Sequence, residues 1–310
     1  MMIRFFGLAG VAGLLLAGCV EKTPEQPAPE DSRLTVYSVN YPLHYFSQRI
    51  GGRQVIAVFP TPADVDPALW TPSPDTVAAY QDADLIFLNG AGYARWVGLA
   101  TLPEARMINT SHAFEDRYIE LEATVTHTHG PMGDLGGNHS HTGFALTTWL
   151  DLRLAKLQAR AITDALIKMR PAVAETFEAR FGQLAGELDA LDARLVTAAE
   201  QLEDTPIVFS HPVYEYLQRR YGLNGRSVHW EPDETPGMRQ WRELDELLRT
   251  HDARWMVWEA EPAADTQAGL ESRGIGSLVF SPVANTPVSG DFLAVMDAQI
   301  SALETAATGL

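Results

Sequence analysis

The sequence has a single cysteine, Cys19, among its 310 residues. The protein therefore cannot form an internal disulfide, and it has no second thiolate to help hold a metal. Basic charge is also scarce: 23 Lys and Arg stand against 40 Asp and Glu, a formal net charge of −17, and no basic run occurs. Without a basic patch to contact phosphates, the chain is expected to have no nucleic-acid partner.

Common catalytic patterns are missing as well. The sequence has no His-Glu-x-x-His, Gly-x-Ser-x-Gly or Walker-type motif. It thus lacks the zinc-hydrolase helix, the nucleophile elbow and the phosphate-binding loop that these motifs build. We expect a binding protein with no catalytic residues, and not an enzyme.

The N-terminus has the pattern of an export signal. After Arg4, an apolar run over 5–16 is too short to span a bilayer comfortably but suits a secretory signal. The four residues that end at Cys19, Leu-Ala-Gly-Cys, resemble the lipobox of bacterial lipoproteins. The alternative is an ordinary signal peptide with a chance cysteine. We expect 1–19 to be a lipoprotein signal with Cys19 lipidated, and the mature protein to be periplasmic and membrane-attached through lipid only.

The segment 20–32 follows this signal and is rich in Pro and Glu. Such a composition cannot bury a core, so we expect a disordered tether between the anchor and the folded part. If Cys19 carries lipid, the mature protein has no free thiol. Any metal site must then consist of imidazole nitrogen and oxygen ligands.

From residue 33 onward, short β-rich runs alternate with helical patterns, which predicts parallel sheets covered by helices. The candidate strands are 34–39, 54–59, 84–88 and 106–109 in the first half, and 206–210, 227–231, 254–259 and 277–280 in the second. The two halves also resemble each other at a nearly constant offset, as where Gln48-Arg49 matches Gln218-Arg219. We predict the α/β class, with two similar parallel-sheet lobes.

A long helix is predicted between the halves. Apolar residues recur there at steps of three or four, which places them on one helix face: Val173, Phe177, Phe181, Leu184, Leu188, Leu191 and Leu195. A helix of this length extends about 40 Å and can act as a rigid strut along both lobes. The alternative is a surface helix on one domain. The predicted limits are an N-terminal lobe at 33–170, the connecting helix at 171–200 and a C-terminal lobe at 201–310.

Four of the nine histidines lie close together in the sequence, at His127, His129, His139 and His141. Each pair has one residue between its members, so extended backbone would turn both rings to one side. Imidazole suits zinc and its neighbours, and short His-rich tracts indicate metal binding. We therefore predict a metal-binding loop at 124–143. The alternative is a solvated loop with no fixed site.

His211 is the other candidate ligand. It follows a predicted strand and precedes Pro212, and ligands of open α/β sheets bind at the carboxyl ends of strands. A lone histidine there often has only a structural hydrogen-bonding role. Nearby, Glu231, Glu259 and Glu261 are candidates for a carboxylate ligand or for orienting a ring, although they can equally pair with arginines. The remaining histidines are interpreted as surface or packing residues: His44, His112, His229 and His251.

Several ordered motifs resemble those of one known family. They are Tyr41-Pro42, Asp66-Pro67, the Pro-Ser-Pro-Asp at 72–75, the Asn-Gly-Ala-Gly at 89–92, the His-rich loop leading to Trp149-Leu150-Asp151, Ser210-His211-Pro212 and Glu261-Pro262. The chain is similar over about 33–307 to the zinc/manganese group of ABC-transporter solute-binding lipoproteins. That resemblance implies two α/β lobes joined by one long helix, a bound divalent metal, and an ABC permease as partner.

The chain departs from the family pattern at the metal ligands themselves. The family usually uses three histidines and a carboxylate, and only His211 matches one of them. Ala68, Thr147 and Ser281 occupy the other three positions. Alanine cannot bind a metal, and neutral Thr and Ser are weak ligands for zinc. The usual site therefore cannot form here.

Two explanations follow from these departures. Either the His-rich loop folds into the cleft between the two predicted lobes and joins His211 in a relocated site, or this cleft no longer binds a metal. We favour the first, because four loop imidazoles and His211 exceed the four ligands that zinc needs. The expected function is capture of zinc, with Mn²⁺ or another divalent ion less favoured, by a monomer that delivers it to an ABC importer. The alternatives are a periplasmic metal buffer or chaperone, and a cleft that binds another solute.

Overall fold

The computed structural model describes residues 33–121, 126–127, 139–140, 143–202 and 204–308. Its first sheet is parallel and has four strands: β1 (Leu34–Ser38), β2 (Val55–Val58), β3 (Leu85–Leu88) and β4 (Met107–Asn109). They lie in the order β2-β1-β3-β4. Val36 of β1 pairs with Ala57 of β2 on one side and with Leu85 of β3 on the other, so β1 lies between these two strands.

Two short antiparallel pairs come next in the chain. Their strands are β5 (Glu120–Leu121), β6 (Thr126–His127), β7 (His139–Ser140) and β8 (Gly143–Phe144). β5 pairs with β8, and β6 pairs with β7. The chain therefore leaves the first lobe and returns to it at neighbouring points on either side of the His-rich loop.

The second large sheet repeats the first. Its strands are β9 (Ile207–Phe209), β10 (Gly225–Ser227), β11 (Trp255–Trp258) and β12 (Gly276–Val279). They are parallel and have the order β10-β9-β11-β12, the same order of first to fourth strand as in the first sheet. The prediction of two similar parallel-sheet α/β lobes is confirmed. One predicted strand differs in its limits: a strand was predicted at 227–231, whereas β10 is Gly225–Ser227 and the chain beyond it stays hydrogen-bonded to the end of β9 through Val228 and Trp230.

Eight α-helices cover these sheets in the described residues: α1 (Tyr41–Gly51), α2 (Pro74–Asp82), α3 (Leu152–Met169), α4 (Ala174–Leu202), α5 (Glu215–Tyr221), α6 (Met238–Leu248), α7 (Ala264–Glu271) and α8 (Phe292–Thr308). At the starts of α1, α2 and α3, the side chains of Asn40, Ser73 and Asp151 accept hydrogen bonds from otherwise unpaired backbone N–H groups, as from Leu43 N to Asn40. None of the helices in the described part is both long and apolar enough to cross a membrane.

The predicted long helix is confirmed as α4, which a short 3-10 turn at Pro171–Val173 precedes. Its buried side chains include most of the predicted stripe, with Phe177, Leu184 and Leu188 fully covered. Around α4 pack α1, α3 and α8. One cluster of buried residues runs without a break from Val36 in the first sheet, through α4, to Phe209 in the second. The lobes thus share a core, and the limits proposed at 170 and 200 remain a prediction.

An ion pair fastens the second lobe to α4. Asp192 on α4 is only 8% exposed, and it accepts hydrogen bonds from the Arg220 guanidinium on α5 at 2.5 and 3.0 Å. The Tyr221 hydroxyl donates a further bond to the same carboxylate at 3.0 Å. Several donors are needed because a buried carboxylate without them would cost several kcal/mol. This contact fixes the position of α5 relative to the strut.

Direct hydrogen bonds also join the two lobes where they face each other. The Trp149 indole donates to the Pro282 carbonyl at 2.7 Å, and the Tyr41 backbone N–H donates to the Ala284 carbonyl at 2.9 Å. Trp149 and Tyr41 belong to the first lobe, while both acceptors lie after the last strand of the second. These bonds, together with the shared core, oppose any wide separation of the lobes.

His44 on α1 predicts an acid-sensitive step in stability. Its ring lies 6.0 Å from the Phe59 ring and 6.1 Å from the Tyr41 ring, and burial lowers its pKa to about 4. An unfolded histidine has a pKa of about 6.5, so the unfolded state binds more protons between these values. Stability from this group is therefore present above pH 6.5 and is lost as the pH falls toward 4, by up to about 3 kcal/mol.

The measurement is denaturant unfolding at pH 7, 5.5 and 4 for the parent and for His44→Gln. We expect the variant to lose less stability on acidification, since glutamine does not titrate. His112→Gln is the matched control, because His112 is 83% exposed on a surface turn. Parallel pH profiles for the parent and His44→Gln would contradict the assignment.

Candidate functional site

The candidate site lies where strands of the second sheet end. His211 follows β9, Glu231 comes shortly after β10, and Glu259 directly follows β11. Because the strands are parallel and neighbouring, their carboxyl ends meet at one edge of the sheet. The first lobe contributes Asp66 from the loop after β2. Its negative charge raises the pKa of the Glu259 carboxyl group. The lobes approach each other here, since the Val65 carbonyl beside Asp66 accepts a hydrogen bond from the Asn285 side chain of the second lobe at 2.7 Å.

Trp230 determines which side chains turn toward His211. Its backbone N–H donates to the Ser210 carbonyl at 2.8 Å, which keeps the chain extended beside β9 after β10 has ended. The Trp230 ring is buried against Trp241, with ring centroids 4.8 Å apart. Since side chains alternate along extended backbone, the residues on either side of Trp230 face the other way. His229 and Glu231 therefore both point toward His211.

His211 lies between two carboxylates. Its Nδ1 atom is 3.3 Å from Glu259 Oε1, and its Nε2 atom is 3.8 Å from Glu231 Oε1. The His229 ring stands perpendicular to the His211 ring, with centroids 5.9 Å apart. The His211 side chain is 11% exposed, while those of Glu231 and Glu259 are 28% and 29% exposed. The group is therefore largely covered but keeps a path to solvent.

The carboxylates around His211 repel one another. Burial, with the negative charges of Glu231, Asp66 and Glu215, raises the pKa of Glu259 to about 8. Burial also raises the pKa of Glu215, at the start of α5. A cation placed among these groups would relieve both the repulsion and the cost of burial. The electrostatics of the cleft thus favour a positively charged ligand.

The three positions where the resemblance expects further ligands have structural roles. The Ala68 backbone N–H donates to Asp66 Oδ1 at 2.9 Å, the Thr147 hydroxyl donates to the Val213 carbonyl at 2.5 Å, and the Ser281 backbone N–H donates to Gln299 Oε1 at 2.6 Å. Thr147 thus ties the two lobes together next to His211. None of the three side chains contributes an imidazole or a carboxylate.

The His-rich loop is described in part. The backbones of His127 and His139 are cross-strand partners in the antiparallel β6–β7 pair. His129 and His141 lie outside the described residues. At the base of the loop, Leu121 pairs with Gly143 in β5 and β8.

The structure brings together three of the predicted site residues and separates a fourth. His211, Glu231 and Glu259 are neighbours, as described above. Glu261 is exposed, and its carboxylate accepts a hydrogen bond from Gln267 on α7 and not from the His211 group. In the described ranges, no three His, Cys, Asp or Glu side chains are already arranged to hold a metal ion.

Sequence reasoning missed His229, which it interpreted as a surface or packing residue. The signal was present: a histidine and a glutamate flank one tryptophan in 229–231, and alternation puts the two polar side chains on one side. The other three histidines of that set are packing or surface residues, as expected. His44 packs against aromatic rings, His112 is exposed, and the His251 ring lies 2.9 Å from the Ile207 carbonyl.

Comparison with known proteins adds to this geometry. The family model described as zinc-uptake complex component A, periplasmic, matches residues 36–306. The high-affinity zinc uptake system protein ZnuA of Bacillus subtilis is 26% identical over 278 residues, which cover 86% of this chain and 86% of the relative. The manganese-binding lipoprotein MntA of Halalkalibacterium halodurans is 27% identical over 236 residues, covering 73% of this chain and 71% of that protein.

Solved structures share the fold. The metal-dependent lipoprotein YcdH of Bacillus subtilis superimposes with a TM-score of 0.74 at 21% identity, covering 88% of this chain and 98% of that one. The Zn(II)-bound ZnuA-like domain of Streptococcus pneumoniae AdcA superimposes with a TM-score of 0.73 at 20% identity, again covering 88% and 98% of the two chains. At these identities the similarity establishes the two-lobed architecture.

Asn285 gives a test of how the wall of the cleft is held. Its side-chain amide, in the second lobe, donates to the Pro62 carbonyl at 2.6 Å and to the Val65 carbonyl at 2.7 Å, beside Asp66. In Asn285→Ala both bonds are lost, at a cost of about 1 kcal/mol each. We expect amide hydrogen exchange to become several-fold faster in 62–69.

Hydrogen exchange read by mass spectrometry measures this effect. Asn224→Ala is the matched control, since its amide donates to the Asp204 carbonyl at 2.9 Å away from the cleft. That variant should leave exchange in 62–69 unchanged. Equal exchange in 62–69 for the parent and Asn285→Ala would show that the loop is held by other contacts.

Proposed function

Since the chain belongs to the periplasmic zinc-uptake complex component A family, we propose that it captures a divalent metal ion, zinc in the first place, and delivers it to an ABC importer. The cleft ligand is His211, with Glu231 and Glu259 beside it. The His-rich loop supplies further imidazoles through His127, His129, His139 and His141. Capture and delivery require only that metal–ligand bonds form and break, with no covalent change in a substrate, so the role we propose is that of a carrier.

The observation that carries this proposal is the surroundings of His211. A mostly buried imidazole has a carboxylate within 3.8 Å of each ring nitrogen, and a second imidazole stands beside it. An ordinary packing histidine needs one hydrogen-bond partner and no excess of negative charge. Two imidazoles among carboxylates, at an edge that both lobes share, instead suit a dication.

Zinc is the preferred ion because of the ligand atoms. Imidazole nitrogen suits zinc, whereas manganese prefers a site dominated by oxygen. Related proteins are described as zinc-uptake, manganese-binding and iron-binding proteins. The choice among these metals therefore depends on this chain's own ligands. His211 and the loop make those ligands rich in nitrogen.

The cellular setting follows from the first residues. We propose that Cys19 is lipidated and that the protein acts in the periplasm, with only its lipid in the membrane. Several relatives are described as lipoproteins of metal ABC transporters. The partner is then a permease of the same transporter, to which the protein presents its ion as a monomer.

Zinc titration calorimetry tests the proposal on the soluble protein that starts at Ser32. We expect one tightly bound ion, and a loss of at least tenfold in affinity in His211→Ala, because the substitution removes a direct ligand. His112→Ala is the control, since it removes an exposed histidine from a surface turn. Replacing 124–141 by a short Gly-Ser link tests the loop without disturbing the β5–β8 pair at its base.

Each outcome has a distinct meaning. If His211→Ala loses affinity, the cleft is the binding site and transport stands. If only the loop replacement loses affinity, the protein is a metal buffer or chaperone that works through its loop. If the parent protein binds no zinc more tightly than micromolar, the metal proposal fails and the cleft should be screened with other solutes.

A further inference from the structure

We infer that the captured ion rests on His211, His229 and Glu231, with Glu259 orienting the His211 ring. The inference rests on the proposed function, since it names ligands for the same ion in the same cleft. It goes further in one respect: the second lobe alone supplies the resting site, and the histidines of the loop are not needed once the ion is seated.

The spacing of the two imidazoles supports this site. Two imidazoles bound to one tetrahedral zinc at about 2.1 Å have ring centroids about 5 Å apart. The His211 and His229 rings are 5.9 Å apart and mutually perpendicular. A movement of about 1 Å, within the reach of small side-chain rotations, would bring both rings onto one ion.

Glu231 lies on the correct side of His211 to share that ion. Two tetrahedral ligands of one zinc lie about 3.4 Å apart, and His211 Nε2 is 3.8 Å from Glu231 Oε1. The extended backbone that turns His229 to the cleft also turns Glu231 there, because both flank the buried Trp230. All three side chains would close around the ion from positions that the sheet edge already sets.

Glu259 occupies the opposite nitrogen of the same ring. Its Oε1 atom is 3.3 Å from His211 Nδ1. A histidine that binds a metal through one nitrogen commonly donates the N–H of the other to a carboxylate, which fixes both tautomer and orientation. Glu231 on the Nε2 side and Glu259 on the Nδ1 side match this division of roles. Glu259 is therefore a positioning residue, and His211 binds through Nε2.

The resulting ligand set is that of a zinc site with one open position. Two histidines and a glutamate hold zinc in known proteins and leave the fourth place for water or another ligand. Asp66 of the first lobe, whose charge acts on Glu259, is a candidate for that place.

The deciding experiment uses the soluble protein with 124–141 replaced by the Gly-Ser link. With zinc as the titrant, we expect this protein to bind one ion, and His229→Gln in the same background to weaken binding at least tenfold. His112→Gln is the control, with no change expected. With Co²⁺ as probe, the visible absorption should lose intensity or shift in His229→Gln, which a purely structural role would not produce.

The outcomes separate this inference from the proposed function. If the loop-replaced protein binds zinc equally well with and without His229, the inference is overturned and the proposed function stands on His211. If the loop-replaced protein binds no zinc although the full-length protein does, the loop is part of the resting site and the inference is again overturned. Metal-free thermal unfolding of His229→Gln, with His229→Asn as a second variant, checks that any loss does not come from unfolding.

Glu259 has a separate readout. In Glu259→Gln the ring of His211 can still bind, but it loses the carboxylate that lies 3.3 Å from Nδ1 and would accept its proton. We expect one Co²⁺ per protein, a displaced visible band and an affinity about tenfold lower. If the Co²⁺ absorption band and the affinity do not change, Glu259 does not orient His211. The three proposed ligands are then tested only by the His229→Gln experiment.

Discussion

The buried face of α4 is the contact on which the rest of the molecule depends. A lobe of four short parallel strands cannot cover its own apolar surface, and each of the two sheets here borrows cover from helices that pack on α4. Because the helix contributes to a core shared by both lobes, the distance between the two sheets is set by side-chain packing. The positions of the strand ends, and so of every polar side chain in the cleft, follow from that packing.

Within the cleft, one buried residue, Trp230, determines which side chains meet. Trp230 fills a pocket next to Trp241 and Trp258, and its burial turns the residues before and after it toward His211. A core residue thus decides which polar groups meet. The familiar positions for ligands are meanwhile held by Ala68 and Thr147, whose contacts stabilise a loop and a junction between the lobes. In the site inferred above, the ligands come from the second lobe and not from the interface of the two lobes, while the architecture is that of the family.

Much of the fold was predictable because its signals are local. Strand runs such as 84–88 and the apolar stripe from Val173 to Leu195 follow from periodicity, and the motif at Asn89 has a clear physical role, since its side chain bonds the Leu146 carbonyl at 3.0 Å. The site was harder. Its other residues follow His211 by 18 to 48 positions in the chain, and no local pattern indicates that 229–231 runs beside Ser210. The strand predicted at 227–231 is instead Gly225–Ser227. The four clustered histidines of the loop were also the more obvious candidate ligands, so His229 was interpreted as a surface or packing residue.

The shared core has a kinetic consequence. A binding protein whose lobes move apart can exchange its bound ion by exposing the whole pocket. The rate of ion exchange is then the rate of that opening. In this protein the bonds from Trp149 to Pro282 and from Tyr41 to Ala284 tie the floor of the pocket together. For the proposed ion, these bonds favour entry and exit by ligand replacement, one donor atom at a time, over a wide opening of the lobes. Under that mechanism the lifetime of the loaded state would be set by how readily a donor from the receiving protein reaches the ion.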